Sequence, residues 1–158
     1  MQKPVKRLSV AEARQKIYHY CAYQERSHQE VKDKLYGYGL YGNEVDELLS
    51  HLITEGYLNE ERFARAFAGG KFRILKWGKI KIQHELEAEG LTPRCIARGL
   101  SEISSADYSK TLHRLVRKKS LLLTEENLFK KKNKVARFVI GRGFEPELAW
   151  EAVNELLG

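Results

Sequence analysis

Between Arg62 and Lys81 the chain carries seven basic residues and no acid: Arg62, Arg65, Lys71, Arg73, Lys76, Lys79 and Lys81. Phe63, Phe67, Phe72 and Trp77 are interleaved with them. Ammonium and guanidinium groups pair with phosphate oxygens or with carboxylates, and an aromatic ring among them can stack on a nucleobase. The composition therefore suits nucleic acid or an acidic protein face. The rings have a plainer use as well: Phe63 and Phe67 lie at i and i+4, and they and Trp77 are expected in the core, with Trp77 beside a turn where part of the ring can reach solvent. A second run, "LFKKKNKVARFVIGR", supplies Lys130, Lys131, Lys132, Lys134, Arg137 and Arg142. Consecutive lysines on a helix point around its axis, so only part of this run can face one partner and the rest serves as a solvated surface.

Catalytic chemistry finds no comparable support. The three aspartates, Asp33, Asp46 and Asp107, are far apart, and His19, His28, His51, His84 and His113 show no ligand spacing. No glycine-rich phosphate loop and no serine in a nucleophile-elbow context is present. Cys21 and Cys95 form no CxxC and are expected as buried, reduced thiols. No enzyme activity, cofactor or metal is expected. No apolar stretch approaches the ~18 residues of a membrane span, and "MQKPVKRLSV" lacks the apolar core of an export signal, so the expected address is the cytoplasm.

The formal charge of +7 is unevenly placed. Arg62 to Lys81 contributes +7 and Asp107 to Arg142 contributes +8, while the remainder of the chain sums to −8. Such polarisation favours a partner with an extended negative surface.

The elements that must position these charges come from a repeat. Val31, Leu35, Gly39, Leu40, Val45 and Leu49 share one register with Ile82, Leu86, Gly90, Leu91, Ile96 and Leu100, and with Val135, Val139, Gly143, Phe144, Ala149 and Val153. Apolar residues at i and i+4 build one helix face. Gly39, Gly90 and Gly143 supply the left-handed turn that ends each helix, and the next apolar residue pins the turn before a second helix. Helical periodicity also precedes each hairpin, so three helices per repeat, nine in all, are expected. Ser9 with Glu12 and Ser27 with Glu30 read as capping boxes. Thr92 before Pro93 reads as a cap, Thr124 before Glu125 and Glu126 as another, and Pro146 falls near a helix start. Gly69 and Gly70 are expected to kink or fray the helix that contains them, at roughly 1 kcal/mol each relative to alanine. No segment alternates with a period of two.

The junction "TEGYLNEERFARAF" closes one repeat at Gly56, packs the corner with Tyr57 and Leu58, and opens the next helix with Asn59 as cap and Glu60 and Glu61 in the first turn. "EGYLNEERFARAF" resembles the signature of the RecX family, bacterial regulators of the recombinase RecA, at Tyr57, Leu58, Asn59, Arg62, Phe63 and Ala64, with Glu60 where an aspartate is usual. "ERSHQEVKDKLYGYGL", "GKIKIQHELEAEGL" and "KVARFVIGRGFEPEL" resemble the family's three repeats in order. Lys79 departs from the proline or small residue common after Gly78, so the turn there is expected to be looser or the helix to start differently.

The resemblance implies an all-α fold of three tandem three-helix repeats forming an elongated, curved array. The expected organisation is a tail over 1–8 and repeats over 9–57, 58–104 and 105–158. It also implies a monomer that engages the RecA filament on single-stranded DNA and lowers its recombinase, ATPase and coprotease activities in DNA repair and the SOS response. Contact with the DNA would be weak or made through RecA. The candidate contacts are Arg62, Arg65, Lys71, Arg73, Lys76, Lys79, Lys81, Lys130, Lys131, Lys134, Arg137 and Arg142. Two other readings remain open: a stand-alone helical DNA-binding module, and a protein adaptor that uses the repeats as a peptide groove.

Overall fold

A computed structural model describes residues 7–158; most of the tail expected over 1–8 lies outside the described residues. Among the described residues there are nine α-helices and no strand. They are α1 (Val10–Tyr23), α2 (His28–Gly37), α3 (Asn43–Thr54), α4 (Glu60–Leu75), α5 (Lys79–Ala88), α6 (Pro93–Leu100), α7 (Ser105–Leu122), α8 (Leu128–Gly141) and α9 (Pro146–Leu157). Helices pack within successive triplets, α1 to α3, α4 to α6 and α7 to α9, which makes the molecule an array of three-helix repeats.

Side-chain oxygens close most helix starts by accepting otherwise unpaired first-turn N–H groups. Ser27 and Glu30 form a complete capping box. Ser9 accepts from the Glu12 N–H, but its hydroxyl takes up the Glu12 carboxylate, so only half of the expected box forms. Asn59 caps α4 and Thr92 caps α6 with Pro93 in its first turn. One start differs from expectation in the third repeat. Ser104 caps α7, but Thr124 caps nothing: the chain stays extended after Leu123, and Asn127 caps α8 instead. Glu125 is turned onto the Asn127 N–H and the Lys134 ammonium rather than into a helix first turn.

Gly39, Gly90 and Gly143 have φ of 89°, 81° and 101°, in the region that disfavours a side chain. Gly69 and Gly70 do not break their helix, since α4 runs unbroken through both. Gly69 is buried beneath the Arg73 side chain, and α4 packs against α6. Those two helices pack tightly at Gly99, where an added Cβ would stand 2.6 Å from the Ala64 Cβ.

Two cores result. Ala13, Ile17, Cys21, Val31, Leu35, Leu40, Val45, Leu48, Leu52 and Leu58 form one. A second runs continuously from Phe63 through Ile82, Leu86, Tyr108, Leu112 and Val135 to Phe144 and Val153, so the second and third repeats share a core. Phe63 is fully part of it, while Phe67 and Trp77 pack against it half-buried. Cys21 and Cys95 are free thiols; Cys21 is buried, which pushes its pKa up to about 11, and Cys95 is only partly covered.

Candidate basic interface

The acid-free segment occupies α4, the link after it and the start of α5. Lys76 ends α4 in the left-handed conformation, φ 58° and ψ 40°, and its ammonium folds back onto the Arg73 carbonyl at 2.5 Å. That reversal swings Trp77 toward the core and delivers Gly78 to the third repeat. There the Gly78 N–H donates to the Arg142 carbonyl (2.8 Å) and the Ile80 N–H donates to the Gly143 carbonyl (2.9 Å). The approach admits no side chain, since a Cβ on Gly78 would lie 2.2 Å from the Gly143 carbonyl carbon. Lys79 is the first residue of α5 after the Gly78 cap, so the departure at this position is accommodated without loosening the turn.

Aromatic rings order the cations around this link. The Lys71 and Lys81 ammonium groups lie 5.1 and 4.5 Å from the Trp77 ring, and Phe67 meets Trp77 edge-on at 6.5 Å. Lys79 lies 4.8 Å from the Tyr108 ring, while its N–H donates to the Tyr108 hydroxyl at 2.9 Å. That hydroxyl donates in turn to Glu145. Burial, reinforced by Glu145, raises the Tyr108 phenol far above its ordinary value, so it remains a neutral hydrogen-bond relay at any physiological pH.

The candidate cations divide by what they already touch. Arg62 pairs with Glu25 at 2.9 Å and donates to the Gly56 carbonyl at 2.8 Å, closing the junction between the first and second repeats. Arg65 pairs with Glu61 at 3.0 Å and reaches Glu102 at 3.9 Å; together with Arg98 it holds the Glu61 carboxyl below the usual range. Lys134 pairs with Glu125 at 3.0 Å. Arg142 donates to the Leu75 carbonyl, stacks 5.8 Å from Phe138, and keeps its Nε buried without a partner. Lys71, Arg73, Lys76, Lys79, Lys81, Lys130, Lys131 and Arg137 make no ion pair among the described residues.

The fold thus brings Arg142 to the Lys76–Lys81 link, 67 residues back along the chain at Leu75. It leaves Lys130 and Lys131 at the far end of α8, about 18 Å away along the helix axis. An unneutralised group of cations held against aromatic faces can take an extended anion, a phosphodiester chain or a row of carboxylates. No group of acids, histidines and cysteines among the described residues is arranged to hold a metal ion, and no described helix is long and apolar enough to cross a membrane.

The tyrosines form a further feature that the charge pattern does not reveal. Seven of the eight tyrosines fall in the first 57 residues. Three of these, Tyr20, Tyr23 and Tyr38, line a cleft of about 670 Å³ with Arg26 and Lys34. That clustering of tyrosine was the available signal.

Comparison with known proteins agrees with the repeat architecture. Residues 59–100 match the family model for the RecX second three-helix domain, and residues 106–153 match that for the RecX third three-helix domain. Proteins named "Regulatory protein RecX" are similar over most of the chain. That of Prosthecochloris aestuarii is 26% identical over 87% of this chain and 89% of its own length. The Clostridium perfringens protein is 26% identical over 83% of this chain, and the Listeria monocytogenes protein 27% identical over 89%. The chain spans only 62% and 52% of those two relatives. The crystal structure of RecX from Lactobacillus salivarius superposes with a TM-score of 0.83 at 19% identity, covering 93% of this chain and 96% of that one. A second RecX crystal structure gives 0.82 at 17% identity, covering 92% of this chain and 71% of the other.

Proposed function

Because the chain belongs to the RecX family, we propose that it is a cytoplasmic regulator, without catalytic activity or cofactor, that binds the RecA filament on single-stranded DNA. Its effect is to lower the recombinase, ATPase and coprotease activities of that filament in DNA repair and the SOS response. The observation that carries this reading is the set of unneutralised cations at the junction of the second and third repeats. Lys71, Lys79 and Lys81 lean on Trp77 and Tyr108, and none has a carboxylate partner among the described residues. A filament with DNA along its axis presents phosphates and acidic protein surface together, and an elongated repeat array can contact several units of it.

The test is ATP hydrolysis by RecA preassembled on single-stranded DNA, titrated with the protein from far below one copy per RecA. A fall in rate at substoichiometric ratios is expected, because a protein acting on filament growth or disassembly affects many protomers per copy. An unchanged rate at equimolar protein of proven fold would remove the reading. In that event, tight salt-sensitive binding to duplex DNA alone would favour the stand-alone DNA-binding module, with log K falling by about 0.9 for each phosphate contact per tenfold rise in salt.

A further inference from the structure

The cleft of the first repeat lies outside the acid-free segment, and its chemistry is distinct. It is formed where the last turns of α1 meet α2, and it is lined by Tyr20, Tyr23 and Tyr38 with Lys16, Arg26 and Lys34. No carboxylate lines it, and none of these three cations is in an ion pair among the described residues. Arg26 is pre-set: its guanidinium lies 3.7 Å from the Tyr20 ring while its Nε donates to the Tyr20 carbonyl at 3.0 Å. The two terminal nitrogens of that fork are left for a ligand. Lys34 stands 5.3 Å from the Tyr20 ring and 5.9 Å from the Tyr38 ring. Tyr23, by contrast, presents its ring to solvent, 76% exposed.

Flat apolar walls with free cations and no acid select a ligand that is planar and anionic at once. An acidic peptide would satisfy the cations but leave the rings without a planar partner, and an apolar segment would leave the cations unpaired. We infer that this cleft binds a nucleotide unit, its base stacked on the exposed Tyr23 ring and its phosphate held by Arg26 and Lys34. The volume of about 670 Å³ is that of an ordinary small-ligand site and exceeds what one base needs. Both an unpaired base within a strand and a free nucleotide share this chemistry. The inference rests on the nucleic-acid side of the function proposed above, but it requires no RecA and is tested without it.

The experiment is fluorescence anisotropy of the full chain with a labelled 15-nucleotide oligo-dT and with an abasic strand of equal length and charge. Stacking predicts tighter binding of oligo-dT than of the abasic strand, on the order of tenfold for one stacked base. Tyr23→Ala, at an exposed ring, should collapse that ratio toward one, and Lys34→Ala should weaken both strands together. Displacement by free dTMP would identify a free nucleotide as the ligand; persistence of the oligo-dT preference without displacement would identify a strand. Equal affinity for the two strands, or an oligo-dT preference untouched by Tyr23→Ala with helicity intact, would overturn the inference. Filament ATPase measured on the same variants keeps the two readings apart, because loss of the cleft leaves the Lys71–Lys81 surface in place.

Discussion

Lys76 combines a strained backbone with a candidate contact, and the two can be separated by substitution. A non-glycine residue in the left-handed region costs roughly 1–2 kcal/mol, so Lys76→Gly should raise the unfolding free energy by about 1 kcal/mol while removing a cation. The paired change Lys76→Glu with Lys79→Glu keeps the strain and reverses two charges; it should weaken filament binding without loss of helicity, as read by circular dichroism. A fall in helicity would show the segment to be structural. Arg62 behaves differently because its partners are Glu25 and the Gly56 carbonyl. Its replacement by Ala should cost about 1 kcal/mol of stability with a smaller effect on binding than Lys81→Ala. None of these divisions could be read from the charge pattern. Twenty residues without an acid look uniformly available, yet the carboxylate that engages Arg62 is 37 residues away in sequence. His113 adds a pH dependence. Its Nε2 faces Glu155 at 3.0 Å and its Nδ1 faces the Ser109 carbonyl at 2.7 Å, so only the doubly protonated ring satisfies both, and the Glu155 hydrogen bond leads in raising its pKa above 6.5. A group with a raised folded pKa contributes its stability in full below the unfolded value and loses it as pH rises through the folded one. Melting of the wild type and His113→Gln should therefore differ most below pH 6.5 and converge as pH climbs above it.

At the level of elements, the positions of the helices follow from capping residues and the apolar register, and so were legible from sequence wherever one capping residue had no rival. Ser27, Asn59 and Thr92 all cap where their residue types imply. The third repeat had rivals: Thr124 is followed by two glutamates, the stronger local signal, but α7 ends at Leu122 and the extended residues after it place Asn127 at the next first turn. Glycine was the other ambiguity, since propensity alone treats every helical glycine as a weakness. The structure separates them by what surrounds each. A Cβ at Gly70 would meet nothing within 4 Å, so Gly70→Ala should stabilise α4 by up to about 1 kcal/mol. A Cβ at Gly99 would press on Ala64 at 2.6 Å and on its backbone at 2.8 Å, so Gly99→Ala should force α4 and α6 apart and destabilise by about 1–3 kcal/mol. Opposite shifts of the urea midpoint for these two variants are the expected result, and equal shifts would mean that helix propensity, not packing, decides at both sites.

Across the whole molecule, the two inter-repeat junctions are built from different interactions. The second and third repeats share one apolar core, pack Phe72 against Tyr108 at 5.8 Å, and are joined by two backbone hydrogen bonds donated by Gly78 and Ile80. The first repeat keeps its own core and meets the second through polar side chains. Ser27 donates to Glu89 at 2.7 Å, the His28 N–H donates to Glu60 at 3.3 Å, and Arg62 pairs with Glu25. In a repeat array, stability is approximately the sum of each unit's own stability and its nearest-neighbour interfaces. A junction of hydrogen bonds contributes about 0.5–1.5 kcal/mol per bond, whereas a continuous core couples the unfolding of both units it spans. The first repeat should therefore open before the other two, which should unfold together. Native-state hydrogen exchange is expected to show lower protection in α1 to α3 than in α4 to α9, and Glu89→Gln, by weakening the bond to Ser27, should widen the gap. A single cooperative unit protected equally from α1 to α9 would mean that the polar junction couples as strongly as the shared core. The predicted order matters for binding, because it leaves the Lys71–Lys81 link on the rigid pair of repeats and the tyrosine cleft on the unit free to adjust to a neighbouring stretch of ligand.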